Sequence, residues 1–130
     1  MQPYFGVEII LYVANQEESK QFYSNLLQLQ PILHVPGMTQ FTITENCSLG
    51  LMPNTGIAKI ITPAMPHPDQ AIGVPKCEVY LYVSNVQFYY EHALAIGAKL
   101  VSKLDDRDWG DKACYFADLD GHIIAFAEKL

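Results

Sequence analysis

The sequence predicts an α+β fold made of two tandem β-α-β-β-β repeats. The first observation is a near-repeat: residues 8–15 read E-I-I-L-Y-V-A-N, residues 78–85 read E-V-Y-L-Y-V-S-N, and five of eight positions are identical. Second, each octet is rich in β-branched and aromatic residues, as strands are, and ends on an Asn that can cap a following helix. Third, a proline-rich segment separates the copies. Two copies indicate a duplication, because a repeat array needs at least three units.

The first repeat is predicted over about residues 4–52 and begins with the strand of the first octet. A helix is predicted over Glu17–Leu27, because Asn15 precedes it as a cap and Glu18 stands at capping-box spacing. Three strand-like runs complete this repeat: Pro31–Val35, Thr39–Thr44 and Cys47–Met52.

The second repeat is predicted over about residues 76–130, with a helix over Val86–Ile96 that Gly97 ends. Between the repeats, residues 53–75 carry five of the eight prolines and indicate a linker with one short helix near Ile57–Ile61. Because 130 residues are the size of one domain, we predict a single domain over residues 1–130. Three strands follow the second helix, the last two joined by the turn D-L-D-G: Lys99–Leu104, Lys112–Ala117 and His122–Glu128.

Composition narrows the classes of partner. Half of the residues are hydrophobic and 17% are charged, which suits a folded domain with a core. The 14 Asp and Glu against 8 Lys and Arg give a net charge of −6. That field repels nucleic acid and anionic membrane surfaces, so we expect neither as a partner. Small molecules remain, and we expect a small-molecule ligand.

Cysteine usage and the N-terminal segment indicate a cytoplasmic protein. Cys47, Cys77 and Cys114 form no C-x-x-C pair and are odd in number, so we predict reduced, mostly buried thiols. The first basic residue is Lys20, so a basic signal region is missing, and no apolar run reaches membrane-spanning length.

Several motifs together resemble the glyoxalase, bleomycin-resistance and extradiol dioxygenase group, the vicinal oxygen chelate superfamily. They are the two octets, Q-F-Y-S-N-L-L-Q-L after the first, and A-I-G-A-K-L-V, R-D-W-G-D and D-L-D-G-H-I-I-A-F-A-E in the second half. The most specific is D-L-D-G-H, in which Leu119 replaces the Pro of the family's D-P-D-G-H. The resemblance covers nearly the whole chain. It implies a curved half-barrel sheet around a cavity, with outer helices, often in a homodimer.

The resemblance also implies where metal ligands would lie. Members that use a metal hold it with four ligands, mostly His and Glu, and these positions fall on Glu8, Gly50, Glu78 and Ala125. Gly50 and Ala125 have no donor side chain, and two carboxylates without imidazole suit neither Zn²⁺ or Ni²⁺ nor the iron of dioxygenases. We therefore predict no metal cofactor. A weakly held hard divalent cation at Glu8 and Glu78 stays open as the alternative.

The four histidines do not supply the missing ligands in the sequence pattern. No two of them stand at the i, i+4 or i, i+2 spacing of a chelating pair. We expect surface or hydrogen-bonded side chains at His34, His67, His92 and His122.

Strand alternation predicts which side chains line the cavity. If Glu8 faces it, Tyr12 does too, and the repeat adds Glu78, Tyr80 and Tyr82. Such an aromatic, acidic lining suits a hydrophobic or cationic small molecule. Met52 joins this lining on the last strand of the first repeat, and resemblance to the fosfomycin-resistance branch adds Tyr115.

Arg107 and Trp109 stand in R-D-W-G-D, on a predicted loop before a strand. They could form a lid, with Trp109 stacking on a ligand and Arg107 pairing with an acid. Alternatively, Trp109 could close one end of the half-barrel. We include both residues among the predicted ligand contacts.

Three functional hypotheses follow. The first is a metal-independent small-molecule binding protein of the bleomycin-resistance kind. The second is a divergent metal-dependent lyase or isomerase, similar to lactoylglutathione lyase, with Glu8 or Glu78 as general base. The third is a dimeric ferredoxin-like α+β barrel without cavity chemistry, which the order of the repeats disfavours.

Overall fold

The computed structural model describes residues 3–130, and the chain divides into two compact units, Met1–Ile72 and Gly73–Leu130. The first unit contains, in chain order, β1 (Val7–Val13), α1 (Gln16–Leu27), β2 (Leu33–Val35), β3 (Met38–Thr44), β4 (Cys47–Pro53), α2 (Asn54–Ile61) and a 3-10 turn (Pro68–Ala71). The second contains β5 (Glu78–Tyr82), α3 (Val86–Ala95), β6 (Lys99–Asp106), β7 (Asp111–Ala117) and β8 (Ile123–Lys129).

Each unit has one four-stranded mixed sheet of the same topology. The strand orders are β1-β4-β3-β2 and β5-β8-β7-β6. In each, the first strand pairs in parallel with the last, and the other neighbours are antiparallel. The predicted α+β class and the β-α-β-β-β order of both repeats are confirmed. The predicted helix in the linker also forms, although it begins earlier, at Asn54.

The predicted Asn caps start both main helices. Asn15 Oδ1 accepts from the Glu18 backbone N–H at 2.9 Å, and Asn85 Oδ1 accepts from that of Phe88 at 3.2 Å. After α3, Gly97 takes a φ of 80°, a left-handed conformation that glycine adopts without steric cost.

The helix-facing side of each sheet carries the core. In the first unit, α1 buries Tyr23, Leu26 and Leu27 against β3 and β4. In the second, Val86 and Ala93 of α3 are buried, and the Tyr89 ring stacks on Phe126 with centroids 5.2 Å apart. The strand residues buried on this side alternate along their strands: Leu11, Val13, Phe41, Leu49 and Leu51, then Val79, Cys114, Phe116, Ile124 and Phe126.

The thiols are less buried than predicted. All three cysteines are free, but only Cys114 is buried, Cys47 is half-buried and Cys77 is exposed. The prediction was wrong for Cys77 because it lies just before β5, outside the alternation that buries Cys114. Among the helices of the described residues, none is long and apolar enough to cross a membrane.

Candidate functional site

The side of each sheet away from its helix carries the predicted site residues. In β1, Leu11 and Val13 are buried on the helix side, so Glu8 and Tyr12 point to the opposite side. Tyr12 lies opposite Met52 in the β1–β4 register. Tyr12 is exposed and Met52 half-buried, so this edge of the first unit offers an apolar surface.

Glu8 lies in a defined position on the open face of the first unit. The side-chain amide of Gln40 donates to both carboxylate oxygens of Glu8, at 2.8 and 2.7 Å. Gly50 lies between them in the sheet, opposite Gln40 on β3 and Ile10 on β1. A Cβ atom on Gly50 would lie 2.7 Å from Glu8 Oε2. The carboxylate of Glu8 therefore fills the space that a side chain at residue 50 would need.

The open face of the second unit has the same register with different side chains. Ala125 lies opposite Tyr80 on β5 and Tyr115 on β7, as Gly50 lies opposite Ile10 and Gln40. Gly50 and Ala125, whose side chains offer no metal ligand, thus occupy equivalent places in the two sheets. Tyr115 is the structural counterpart of Gln40, a match that the spacing of the octets does not give. Small, buried side chains line the rest of β7 and β8 on this face: Ala113, Ala117, Ala125 and Ala127.

A buried carboxylate, Asp111, organises the aromatic side chains of this face. The hydroxyls of Tyr80 and Tyr82 both donate to Asp111 Oδ2, at 2.7 and 2.9 Å. The indole N–H of Trp109 donates to the Tyr80 hydroxyl at 3.0 Å, and Lys129 Nζ lies 3.7 Å from Asp111 Oδ1. Asp111 is 1% exposed, so its charge is stabilised by these donors.

The network shifts the pKa values of its members. The hydrogen bond from Tyr80, with further donors, lowers the pKa of Asp111 below its ordinary value. Burial, together with the hydrogen bond to Asp111, raises the pKa of Tyr80 to about 12. The hydrogen bond to Tyr82 and the charge of Asp111 raise the pKa of Lys129. Near neutral pH the face therefore holds an ionised Asp111 and a neutral Tyr80 phenol.

The sequence prediction did not include Asp111. It is the last residue of R-D-W-G-D, and the strand that it begins is apolar after Lys112, which was the available signal. Its partners Tyr80 and Tyr82 were predicted, but they lie 31 and 29 residues away in sequence. The sheet register is what brings them together.

Arg107 and Trp109 lie at the β6–β7 loop, as predicted. The Arg107 guanidinium donates to Ala113 O, Lys103 O and Ser102 Oγ, so it ties the two strands of the hairpin together. It also lies over the Tyr115 ring, 5.2 Å from the centroid. The Trp109 side chain is exposed, and its indole N–H is held by Tyr80. Arg107 thus connects β6 and β7 by hydrogen bonds and packs one face of its guanidinium on the Tyr115 ring.

A family comparison assigns the chain. A model of the glyoxalase-like domain matches residues 6–130. The chain belongs to the glyoxalase-like domain family. Among curated proteins, no significant match was found.

Solved structures of the glyoxalase-like fold are similar to this chain. A glyoxalase-related enzyme from Fulvimarina pelagi aligns with a TM-score of 0.80 at 20% identity, over 98% of this chain and 89% of that one. A glyoxalase/bleomycin resistance protein/dioxygenase from Nocardioides gives 0.80 at 22%, over 100% and 85%. TioX from Micromonospora sp. ML1 gives 0.76 at 21%, over 96% and 98%. At these identities the likeness establishes the glyoxalase-like fold.

The motif D-L-D-G-H of this glyoxalase-like chain forms a tight turn between β7 and β8. Asp118 Oδ1 accepts from the backbone N–H groups of Asp120 and His122, at 2.9 and 2.8 Å. Asp118 Oδ2 lies 2.8 Å from His122 Nδ1. Gly121 has a φ of 91°, so the left-handed conformation explains its place in the motif.

The prediction of hydrogen-bonded or surface histidines is confirmed for His34, His67 and His122, which all make hydrogen bonds. His34 contacts Thr39 Oγ1 at 2.7 Å and Glu17 Oε2 at 2.8 Å, and His67 accepts from the Asp69 N–H at 3.1 Å. No pair of histidines was predicted to chelate a metal ion, and one histidine lies in a cluster with two carboxylates. His122, Asp118 and Asp120 place ligand atoms within 4.8 Å of one another, because the turn gathers residues that alternate in sequence. Hydrogen bonds within the turn already engage Asp118.

Proposed function

We propose that this glyoxalase-like protein binds a small hydrophobic or cationic molecule without a metal ion. The single observation that carries the proposal is the donor set at the equivalent positions of the two sheets. Gly50 and Ala125 offer no ligand atom there. The neighbouring carboxylate in the first unit, Glu8, is hydrogen-bonded through both oxygens to Gln40.

These residues do not fit the metal centres of the family. Zn²⁺ and Ni²⁺ sites of the glyoxalase type need imidazole and carboxylate ligands, and no histidine lies at any of the four positions. In the first unit, a side chain at residue 50 would have to displace the Glu8 carboxylate, which lies 2.7 Å from where its Cβ would stand. Metal binding there would require Glu8 to leave Gln40 and would still leave the donor set short.

Aromatic surface supports the ligand class. In the second unit, Trp109 and Tyr82 are exposed, and Tyr80 and Tyr115 are half-buried beside them. The Tyr80 ring centroid lies 5.3 Å from that of Tyr82 and 6.4 Å from that of Tyr115. Such a surface stacks well against a flat apolar molecule. The first unit offers an apolar surface of its own, for which we propose Tyr12 and Met52 as ligand contacts. We propose Arg107 as a ligand contact through its packing on Tyr115.

The setting of this function is also part of the proposal. We propose a cytoplasmic homodimer, on the resemblance to the family and on the cysteine usage of the sequence. The acidic net charge of −6 supports a small-molecule partner and disfavours nucleic acid and anionic membranes.

Metal content and ligand-induced stabilisation test the proposal. The protein is incubated with Zn²⁺ or Ni²⁺, desalted and analysed for bound metal, and separately heated with a panel of aromatic and cationic compounds. We expect less than stoichiometric metal and an increased Tm with aromatic compounds. The H122A variant is the control, since it removes metal held by the Asp118 turn. Stoichiometric metal that persists in H122A would overturn the proposal.

One observation favours a second function, a divergent lyase or isomerase. Among residues 3–130, the exposed Glu78 carboxylate has no hydrogen bond or ion pair, unlike Glu8. An unpaired carboxylate beside a ligand face is suited to abstract a proton as a general base. Here Glu78, or Glu8 after release from Gln40, would act with a divalent cation held mainly by water. The E78Q and E8Q variants should then lose turnover of a carbonyl substrate while they keep their fold; unchanged rates would remove this alternative.

A further inference from the structure

The two units treat their matched polar pairs differently. In the first, Glu8 stands two residues before Ile10 on β1, Gln40 lies opposite Gly50 on β3, and the Gln40 amide donates two hydrogen bonds to Glu8. In the second, the same places are held by Glu78 and Tyr115. Within the described chain, neither Glu78 nor the Tyr115 hydroxyl makes a hydrogen bond. The first pair is closed, and the second pair is open.

The other polar groups of the second face are already engaged. The Tyr80 hydroxyl donates to Asp111 and accepts from Trp109, and the Tyr82 hydroxyl donates to Asp111 and lies 3.4 Å from Lys129 Nζ. A ligand that stacks on these rings therefore finds no free hydroxyl donor on them. The open pair offers both a free donor and a free acceptor.

Glu78 and Tyr115 act on each other across this face. The Tyr115 side chain is half-buried, and burial, followed by the negative charge of Glu78, raises its pKa above the ordinary value. The Tyr115 phenol therefore keeps its proton near neutral pH and can donate. An ionised carboxylate such as Glu78 can only accept. A group that satisfies both must accept from Tyr115 and donate to Glu78.

We propose that the second unit binds a flat aromatic molecule that carries a hydroxyl group, with its ring on Tyr80 and Trp109 and its hydroxyl between Tyr115 and Glu78. This inference rests on the proposed small-molecule function and adds the chemical class of the ligand. A hydroxyl is the smallest group that donates and accepts at once. An ether of the same ring accepts only and leaves Glu78 unpaired.

Matched probes test this ligand class. 2-Naphthol and 2-methoxynaphthalene share one ring system, and only the first can donate. Each is titrated into the ¹⁵N-labelled full-length protein, and binding is followed by the single indole N–H signal, because Trp109 is the only tryptophan. A hydrogen bond to a charged acceptor predicts that 2-naphthol binds about tenfold more tightly than its ether.

Variants assign that preference to Glu78 and the shared contact to Tyr115. E78Q keeps only a neutral acceptor, so it should lower the affinity ratio of the two probes toward unity. Y115F removes the donor that serves both probes, so it should weaken the binding of both and leave their ratio nearly unchanged. E91Q and Y90F are the matched controls on α3, and they should keep the preference for 2-naphthol. Glu78 is exposed, so E78Q folds even if Y115F does not, and circular dichroism checks both.

Two results would overturn the inference, and they separate it from the proposed function. If wild-type protein binds both probes equally, or if E78Q keeps the full preference, the hydroxyl class is wrong and aromatic binding stands. If neither probe moves the indole signal, both the ligand class and aromatic binding at this face are wrong. The metal analysis then stands as the independent test of metal-free function.

Discussion

Asp118 is the residue on which the D-L-D-G-H turn depends. Its carboxylate is buried and accepts two backbone N–H groups, at 2.9 and 2.8 Å, besides its contact with His122 Nδ1. Each such hydrogen bond contributes about 0.5–1.5 kcal/mol net to folding. The D118A variant removes all three, so its free energy of unfolding should fall by about 2–4 kcal/mol. D118N keeps one acceptor oxygen for the two N–H groups, and its loss should be about half as large.

The pH dependence gives this prediction a second readout. Burial lowers the pKa of His122, but the hydrogen bond to Asp118 and its charge raise it more, and the net pKa lies above 6.5. A raised pKa in the folded state means that the protonated His122 stabilises the fold. This stabilisation is complete below pH 6.5 and is lost as the pH rises through the folded-state pKa. The difference between wild type and D118N should therefore be larger at about pH 6 than at about pH 9.

Urea denaturation measures both effects, followed by circular dichroism and by Trp109 fluorescence within the same unit. D108N is the matched control, because Asp108 is exposed in the β6–β7 loop and its loss should change stability by less than about 0.5 kcal/mol. Equal midpoints for D118A and wild type would refute the reasoning. So would a difference between wild type and D118N that does not change with pH.

Three further perturbations follow from single contacts. In G121A the new Cβ would lie 2.7 Å from the Gly73 Cα, and residue 121 would keep a φ of 91° that alanine adopts only with strain. The free energy of unfolding should therefore fall by about 1–3 kcal/mol, and an unchanged urea midpoint would contradict this. When the ultraviolet titration curve of Y80F is subtracted from that of the wild type, the difference should show the Tyr80 phenol with a pKa of about 12. A difference curve with a pKa near 10 would be inconsistent with a buried phenol that is hydrogen-bonded to Asp111. A chromogenic disulfide reagent should modify exposed Cys77 at once, whereas buried Cys114, whose pKa burial raises to about 11, should react only after denaturation; rapid labelling of the native C47S/C77S double variant would refute this.

Local pattern was sufficient to predict the fold of this chain. The β-branched and aromatic residues of the octets predicted β1 and β5, and Asn15 and Asn85 cap the helices as expected. The ends of the strands depend on tertiary contacts, and some differ from the predicted ends. For example, β6 runs to Asp106, beyond the predicted end at Leu104, because Asp105 and Asp106 still pair with β7 after two irregularities in the register.

The candidate site could be predicted only in part, because its chemistry depends on pairs distant in sequence. The positions of Glu8 and Glu78 followed from the repeat. The bond from Gln40 to Glu8 did not, since it joins residues 32 apart on non-adjacent strands. Asp111 was missed for the same reason. An acid at the start of an apolar strand signals burial, but only the register shows that Lys129 lies opposite to it.

The two sheets have the same strand pairing around Gly50 and Ala125 but carry different side chains there. Glu8 and Glu78 are 70 residues apart, whereas Gln40 and Tyr115, the residues that face them across the sheet, are 75 apart. The spacing between these strands thus differs between the two copies, yet the pairing is equivalent, because the sheet register fixes which side chains share a face. A Gln in one copy supplies two donors to the acid and closes it. A Tyr in the other supplies one donor on a rigid ring, which cannot wrap around the carboxylate. The two copies thus keep both acids but differ in their partners: the acid of the first unit is hydrogen-bonded to Gln40, and that of the second makes no hydrogen bond within residues 3–130.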